Sequence, residues 1–109
     1  MLITFIGGGN MASALISGLA NPPRSDLRIR VVDPDDAARA RLRDTFDVPV
    51  FTDKETIGAI QGADVILLAI KPQTMPVVLN QLAGKVRSDQ LVLSIAAGTT
   101  IDTIRERLG

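Results

Sequence analysis

Residues 2–12, Leu2-Ile3-Thr4-Phe5-Ile6-Gly7-Gly8-Gly9-Asn10-Met11-Ala12, carry the reading that decides the fold. Leu2 to Ile6 is a short, nearly continuous apolar run, the pattern of a strand buried on both faces. It runs without a spacer into G-x-G-x-x-A, formed by Gly7, Gly9 and Ala12. From Asn10 to Leu19 the pattern changes to that of a helix, with Met11, Leu15 and Leu19 at fourfold spacing. Each small residue has a physical job in such a strand–turn–helix. Gly7 permits the tight turn out of the strand, Gly9 lets backbone approach a pyrophosphate, and Ala12 lets the helix pack closely on the sheet. The new helix then directs its unpaired N–H groups and positive dipole end at that anion. A glycine pattern alone is weak, but here it follows a strand and opens a helix inside a βαβ unit.

Outward from this segment the same rhythm repeats. Asn21 to Asp26 has turn composition, Leu27 to Val32 reads as a second strand, and Pro34-Asp35-Asp36 opens a second helix with acids where the dipole favours them. Val48 to Phe51 is a brief strand cut short by Pro49, and Thr52 or Asp53 caps a helix to about Gln61. Val65 to Ile70 is the clearest strand, broken by Lys71-Pro72-Gln73, and Pro76 starts a helix through about Lys85. Leu91 to Ile95 is a fifth strand, Ala96-Ala97-Gly98 a turn, and Thr100 caps a helix over Ile101 to Leu108. Strictly alternating strands and helices require crossover connections and therefore parallel pairing. The expected class is α/β, a Rossmann-type doubly wound parallel sheet, with residues 1–109 as one nucleotide-binding domain.

Composition removes several functions. Twelve Lys and Arg balance twelve Asp and Glu, giving zero formal charge, whereas a nucleic-acid binder needs a basic surface to displace counterions. Neither Trp nor Tyr occurs and Phe occurs three times, which leaves no base-stacking platform. The absence of Cys and His excludes thiol nucleophiles, Ser-His-Asp triads and thiolate or imidazole metal sites within these residues. No stretch has the pattern of a signal peptide or the length of a membrane span. A cytoplasmic protein without membrane or nucleic-acid partners is the expectation. Its chemistry must come from carboxylates, Lys, Ser, Thr or a bound cofactor.

Asp33 ends the second strand roughly 20 residues beyond the glycine motif, where an acid accepts hydrogen bonds from the adenosine ribose hydroxyls. The alternative is a glycine turn made only for packing, with Asp33 a surface charge. Lys71 stands at the carboxyl edge of the sheet, where open α/β folds bind ligands, and reads equally as a cofactor contact or a surface lysine. Ser94 to Gly98 is either a close-approach turn for a flat ring or a plain connection. Asp33, Asp35 and Asp36 suggest dipole compensation at a helix start in preference to a cation site, and no metal site is expected.

Three segments together resemble the N-terminal domain of pyrroline-5-carboxylate reductase: Phe5 to Ala12, Ala69-Ile70-Lys71-Pro72-Gln73, and Ser94-Ile95-Ala96-Ala97-Gly98-Thr99. Their order and spacing extend the resemblance over essentially the whole chain. The resemblance implies an NAD(P)H-dependent reductase that makes L-proline from 1-pyrroline-5-carboxylate, with NADP or NAD as cofactor. Carried over by position, Ile6, Gly7, Gly8, Gly9, Asn10 and Met11 wrap the pyrophosphate. Asp33 faces the adenosine ribose and Asp53 the adenine side. Ala69, Ile70, Lys71 and Pro72 line the nicotinamide ribose, and Ile95, Ala96 and Ala97 sit against the nicotinamide.

Members of that family are longer, with a C-terminal helical domain that dimerises and holds most of the substrate site. The chain, ending at Leu108-Gly109, is thus expected to be the cofactor domain alone, able to act on substrate only with the second domain. No catalytic residue is assigned within it. At Asp33 many relatives carry Ser, Thr or Asn, which suit a 2′-phosphate. A carboxylate there favours NADH, unless the helix after Pro34 turns Arg39 or Arg41 toward the ribose. Other readings of the same residues are a β-hydroxyacid dehydrogenase, a deazaflavin-dependent NADP reductase, or a non-catalytic nucleotide-sensing module.

Overall fold

The five apolar runs lie side by side in a single parallel sheet, ordered third, second, first, fourth, fifth by their place in the chain. In this computed structural model residues 1–20 and 25–95 are described. The strands are β1 (Leu2–Ile6), β2 (Arg28–Val32), β3 (Val50–Phe51), β4 (Val65–Leu68) and β5 (Leu91–Ser94). The helices are α1 (Asn10–Ala20), α2 (Asp36–Phe46), α3 (Thr56–Ile60), preceded by a 3-10 turn over Asp53–Glu55, and α4 (Met75–Leu82). The expected Rossmann-type architecture is the one observed. The expected turn at Asn21 to Arg24, the turn at Ala96 to Gly98 and the helix from Ile101 to Leu108 lie outside the described residues.

β1 is the central strand, and all five of its residues are buried. Ile3 and Phe5 face α1 and α2, packing with Leu15, Ile16, Leu19, Val31, Leu42 and Leu67. Leu2 and Ile6 face α3 and α4, packing with Ile60, Ile66, Leu68, Val78 and Leu82. Two-sided burial explains why the run does not alternate polar with apolar. Thr4 is the one polar residue of the run, and its hydroxyl donates to the Ala59 carbonyl at 2.7 Å, so its burial leaves no unpaired group.

Several boundaries move inward from the sequence reading, each for a local reason. β3 keeps only Val50 and Phe51, because Pro49 has no N–H to give to the ladder, although its carbonyl accepts from Val31 N–H at 3.1 Å. β4 ends at Leu68, two residues short of Ile70. Its neighbour β1 has already turned away at Gly7, so Ile70 has no strand to pair with. α4 stops at Leu82, since Gly84 adopts φ +74° and Lys85 N–H closes a turn onto the Leu82 carbonyl. At α2, Asp35 is the cap and accepts from Ala37 N–H at 3.3 Å, so the helix proper begins at Asp36.

The register sets the site. Ile6 pairs with Val32 on one side and Leu68 on the other. Val32 pairs with Phe51, and Leu68 with Ser94. All five strands therefore finish in one row. Leu67, fully buried at the centre of β4, tests how far stability rests on this core. Leu67→Ala should lower the unfolding free energy by about 2–5 kcal/mol. Val92→Ala on the exposed face of edge strand β5 should change it by about 0.5 kcal/mol or less. Urea titration followed by circular dichroism compares them.

Candidate functional site

Beyond the common row of strand ends stand Gly7, Asp33, Thr52, Ala69 and Ile95, one after each strand. Four of these are fixed by a last ladder bond. Gly7 N–H donates to Val32 O at 2.8 Å, Asp33 N–H to Phe51 O at 3.0 Å, Ala69 N–H to Ile6 O at 2.8 Å, and Ile95 N–H to Leu68 O at 3.0 Å. The chain proceeds from β1 to β2 in one direction and reaches β4 on the opposite side of β1. A crevice must open where the connections diverge, and in open α/β sheets ligands bind there.

That crevice has two lobes. The first, about 350 Å³, is bounded by Ile6, Gly7, Gly8, Gly9, Asp33, Pro34 and Asp53 on one side, and by Thr56, Thr74, Val77, Val78 and Gln81 on the other. The second, about 790 Å³, is bounded by Gly9, Asn10, Met11, Ala12, Pro72, Met75, Ser94 and Ile95. Gly9, Ala69, Ile70 and Lys71 border both. Every site residue named from sequence within the described region thus borders one cleft, while Ala96 and Ala97 lie outside the described residues. A further cavity, about 460 Å³ and lined by Leu2, Leu19, Arg28, Phe46 and Pro49 among others, shares no residue with the cleft.

The three consecutive glycines are needed for three different reasons. At Gly7, φ is +104° and an added Cβ would lie 2.1 Å from the Ala69 carbonyl oxygen. The turn between β1 and β4 is closed to any side chain. At Gly8, a Cβ would meet the Leu42 methyl at 2.5 Å and an Asp33 carboxylate oxygen at 3.2 Å. This demand comes from α2 and is invisible in the motif itself. At Gly9 nothing lies within 4 Å. A side chain there would intrude only on the cleft, both lobes of which Gly9 borders.

The first intrahelical amide of α1 is Ser13 N–H, bonded to Gly9 O at 2.9 Å. Those of the first turn are left facing the cleft without helical acceptors. No acidic side chain occupies that first turn, so its positive end is available to an external anion. A diphosphate fits this arrangement in charge and in the space that Gly9 leaves.

Asp33 has a role the sequence did not reveal. One carboxylate oxygen accepts from Gly8 N–H at 2.6 Å and the other from Asp35 N–H at 2.8 Å. The carboxylate therefore ties the glycine loop to β2 while lining the cleft. The neighbouring acids are occupied differently: Asp35 caps α2 and Asp36 pairs with Arg39. Arg39 also donates to the Asp33 carbonyl at 2.6 Å, and Arg41 donates to the Gly8 carbonyl at 3.2 Å. α2 thus turns Arg41 toward the glycine loop and Arg39 toward the end of β2, which the spacing alone could not establish. The α4 wall was also missed. On that wall Val77 is an apolar residue left 69% exposed, which only the folded structure shows.

The fold and the cleft define a Rossmann-type α/β domain with a glycine loop at the switch point of its sheet. The chain belongs to the family described as NADP oxidoreductase, coenzyme F420-dependent, which it matches over residues 2–98. It is similar to the pyrroline-5-carboxylate reductases of Pseudomonas aeruginosa (38% identical over 107 residues, 98% of this chain and 38% of the relative) and Haemophilus influenzae (41% over 103 residues, 94% and 37%). Among solved structures it resembles a pyrroline-5-carboxylate reductase from Coxiella burnetii, with a TM-score of 0.76 and 32% identity over 98% of this chain and 39% of that one. The chain spans somewhat over a third of the length of these relatives. The resemblance drawn from the three sequence segments is matched by these relatives.

The glycines separate fold from ligand space. Gly7→Ala should destabilise the domain by about 2–4 kcal/mol through steric crowding and positive-φ strain. Gly9→Ala should change stability by about 0.5 kcal/mol or less. Chemical denaturation of both variants beside the parent measures the contrast.

Proposed function

We propose that this chain is the NADP- or NAD-binding domain of a pyrroline-5-carboxylate reductase, the enzyme that reduces the C=N bond of 1-pyrroline-5-carboxylate to give L-proline. The observation that carries this reading is the open space at Gly9 beside the uncompensated start of α1, in a chain so similar to reductases of that name. When bound, the dinucleotide supplies the hydride; the protein supplies position and electrostatics.

In this assignment Ile6, Gly7, Gly8, Gly9, Asn10 and Met11 hold the pyrophosphate, with the amides at the start of α1 facing its charge. Asp33 accepts from the adenosine ribose through lone pairs not used by Gly8 and Asp35, and Asp53 flanks the adenine side. Ala69, Ile70, Lys71 and Pro72 border the nicotinamide ribose. Ile95, with Ala96 and Ala97 after it, supports the nicotinamide end. Met11, Ile70, Met75 and Ile95 give that lobe an apolar lining, which favours a flat ring and limits water.

The substrate site and the homo-oligomer interface belong, in this proposal, to the part of the enzyme outside these 109 residues. The whole enzyme works in the cytoplasm on a small molecule, with no nucleic acid or membrane partner. Zero formal charge supports the first exclusion. No helix among the described residues is long and apolar enough to cross a membrane. A second reading, transfer between a reduced deazaflavin and NADP, draws on the description of the matched family. The similarity of named relatives over nearly the whole chain favours the imine reductase.

NADPH and NADH titrations by calorimetry test the site. The parent chain should bind, and Gly9→Val should lose at least tenfold in affinity while retaining its circular dichroism spectrum. Unchanged affinity in the variant would remove the assignment. The 109-residue chain should not oxidise NADPH when given 1-pyrroline-5-carboxylate, and measurable proline formation would place the substrate site within these residues. Joined to a second domain like that of its relatives, it should oxidise NADPH with 1-pyrroline-5-carboxylate and not with an oxidised deazaflavin.

A further inference from the structure

The two lobes of the cleft differ in charge. Asp33 and Asp53 border the smaller one. Among the described residues that border the larger one, Lys71 is the only charged side chain, and the polar ones beside it, Asn10 and Ser94, are neutral. Lys71 borders both lobes and so stands where they meet. Its backbone is held from two sides. Ala69 N–H donates to the Ile6 carbonyl at 2.8 Å, and the Lys71 carbonyl accepts from Thr74 N–H at 2.9 Å. Pro72 follows, its φ fixed by the ring. The ammonium, by contrast, makes no hydrogen bond or ion pair with any described residue.

A nicotinamide ring has two charge states: neutral when reduced, a pyridinium cation when oxidised. The phosphates and both riboses are the same in either form. Attraction between Lys71 and the pyrophosphate therefore cancels from the ratio of affinities for the two forms, and only the effect on the ring remains. In a lobe whose described lining holds no acid, an unpaired ammonium repels the pyridinium and is nearly indifferent to the neutral ring. Met11, Ile70, Met75 and Ile95 act in the same direction, since an apolar lining replaces the water around a cation poorly. The Lys71 side chain is exposed, so screening by solvent and salt keeps the effect to a modest factor.

We propose that Lys71 is a specificity-determining residue for the redox state of the cofactor: its charge makes the cleft hold the reduced dinucleotide more tightly than the oxidised one. This inference rests on the dinucleotide reading of the cleft, with the ring in the larger lobe, but it fails separately from it. A domain that discriminates in this way loads reduced cofactor from a mixture and releases the oxidised form after transfer. By linkage the same charge makes the bound couple a weaker hydride donor, so the advantage lies in loading and release and not in the transfer step.

Calorimetric titration of the parent chain, Lys71→Met and Lys71→Arg tests it, with thermal melts as the folding control. The ligands are NADPH, NADP⁺, NADH, NAD⁺ and ADP-ribose, the last having the pyrophosphate but no ring. The parent should bind the reduced member of each pair about fivefold or more tightly than the oxidised member. Lys71→Met, which keeps an unbranched side chain and loses the charge, should narrow that ratio by about threefold or more in both pairs. Lys71→Arg, which keeps the charge, should preserve it. An unchanged ratio in Lys71→Met, with all five ligands weakened alike, would overturn the proposal and make Lys71 a phosphate contact only. A parent that binds both redox forms equally, or prefers the oxidised one, would overturn it too, while binding of ADP-ribose in all three proteins would leave the cleft assignment standing. A parent that binds none of the five would overturn both.

Discussion

Every part of the site depends on the parallel register that ends β1, β2, β3, β4 and β5 in one row. Parallel ladders are evenly spaced, so a slip of one residue would turn a strand's buried side chains to the opposite face. Because both faces of the sheet are covered, such a slip in β1 would move Ile3 and Phe5 into the layer of Ile60 and Ile66. The two apolar layers therefore hold the register, and the register carries Gly7, Asp33, Ala69 and Ile95 to the same edge. Their own ladder bonds leave little freedom in where the next residue points. A binding surface drawn from four distant parts of the chain is thus as rigid as the core beneath it.

The glycine loop is held from the side as well as from below. Gly7 turns against the Ala69 carbonyl, while Gly8 is enclosed by Leu42 and Asp33. A loop of three glycines would by itself be the most mobile segment in the chain, since glycine has the most conformational freedom to lose. Here the β2–α2 unit removes that freedom with one carboxylate, one guanidinium and one buried leucine. A site built in this way meets its ligand already ordered, which lowers the entropic cost of binding. Only Gly9 is left without a protein neighbour, and it is the position where a neighbour would exclude a ligand.

The similarity to longer reductases fits this division of labour. In the proposed reading a cleft at a topological switch point orients a dinucleotide, and its described lining contains neither Cys nor His. In that reading these residues contribute orientation and charge placement, and the bound dinucleotide supplies the hydride.

Local pattern made the strands, their parallel arrangement and most of the site legible. Five short apolar runs separated by helix-length segments admit almost no topology except a crossover sheet, and the strand–glycine–helix junction at residues 2–12 marks a candidate anion site through backbone geometry alone. Strand ends were overestimated at Ile70 and at Val48, because pairing partners, not hydrophobicity, decide where a ladder stops. Thr56, Val77 and Gln81 were hidden because a cleft wall drawn from a different crossover has no sequence periodicity of its own. The two bonds made by the Asp33 carboxylate, the closure around Gly8 and the turning of Arg41 toward that loop arise from distances between β1, β2 and α2. The sequence alone determined which residues sit at the carboxyl edge, because strand order and loop position follow from pattern. Only tertiary packing decided what those side chains hold, because hydrogen bonds between segments 25 and 33 residues apart depend on where a folded core puts them.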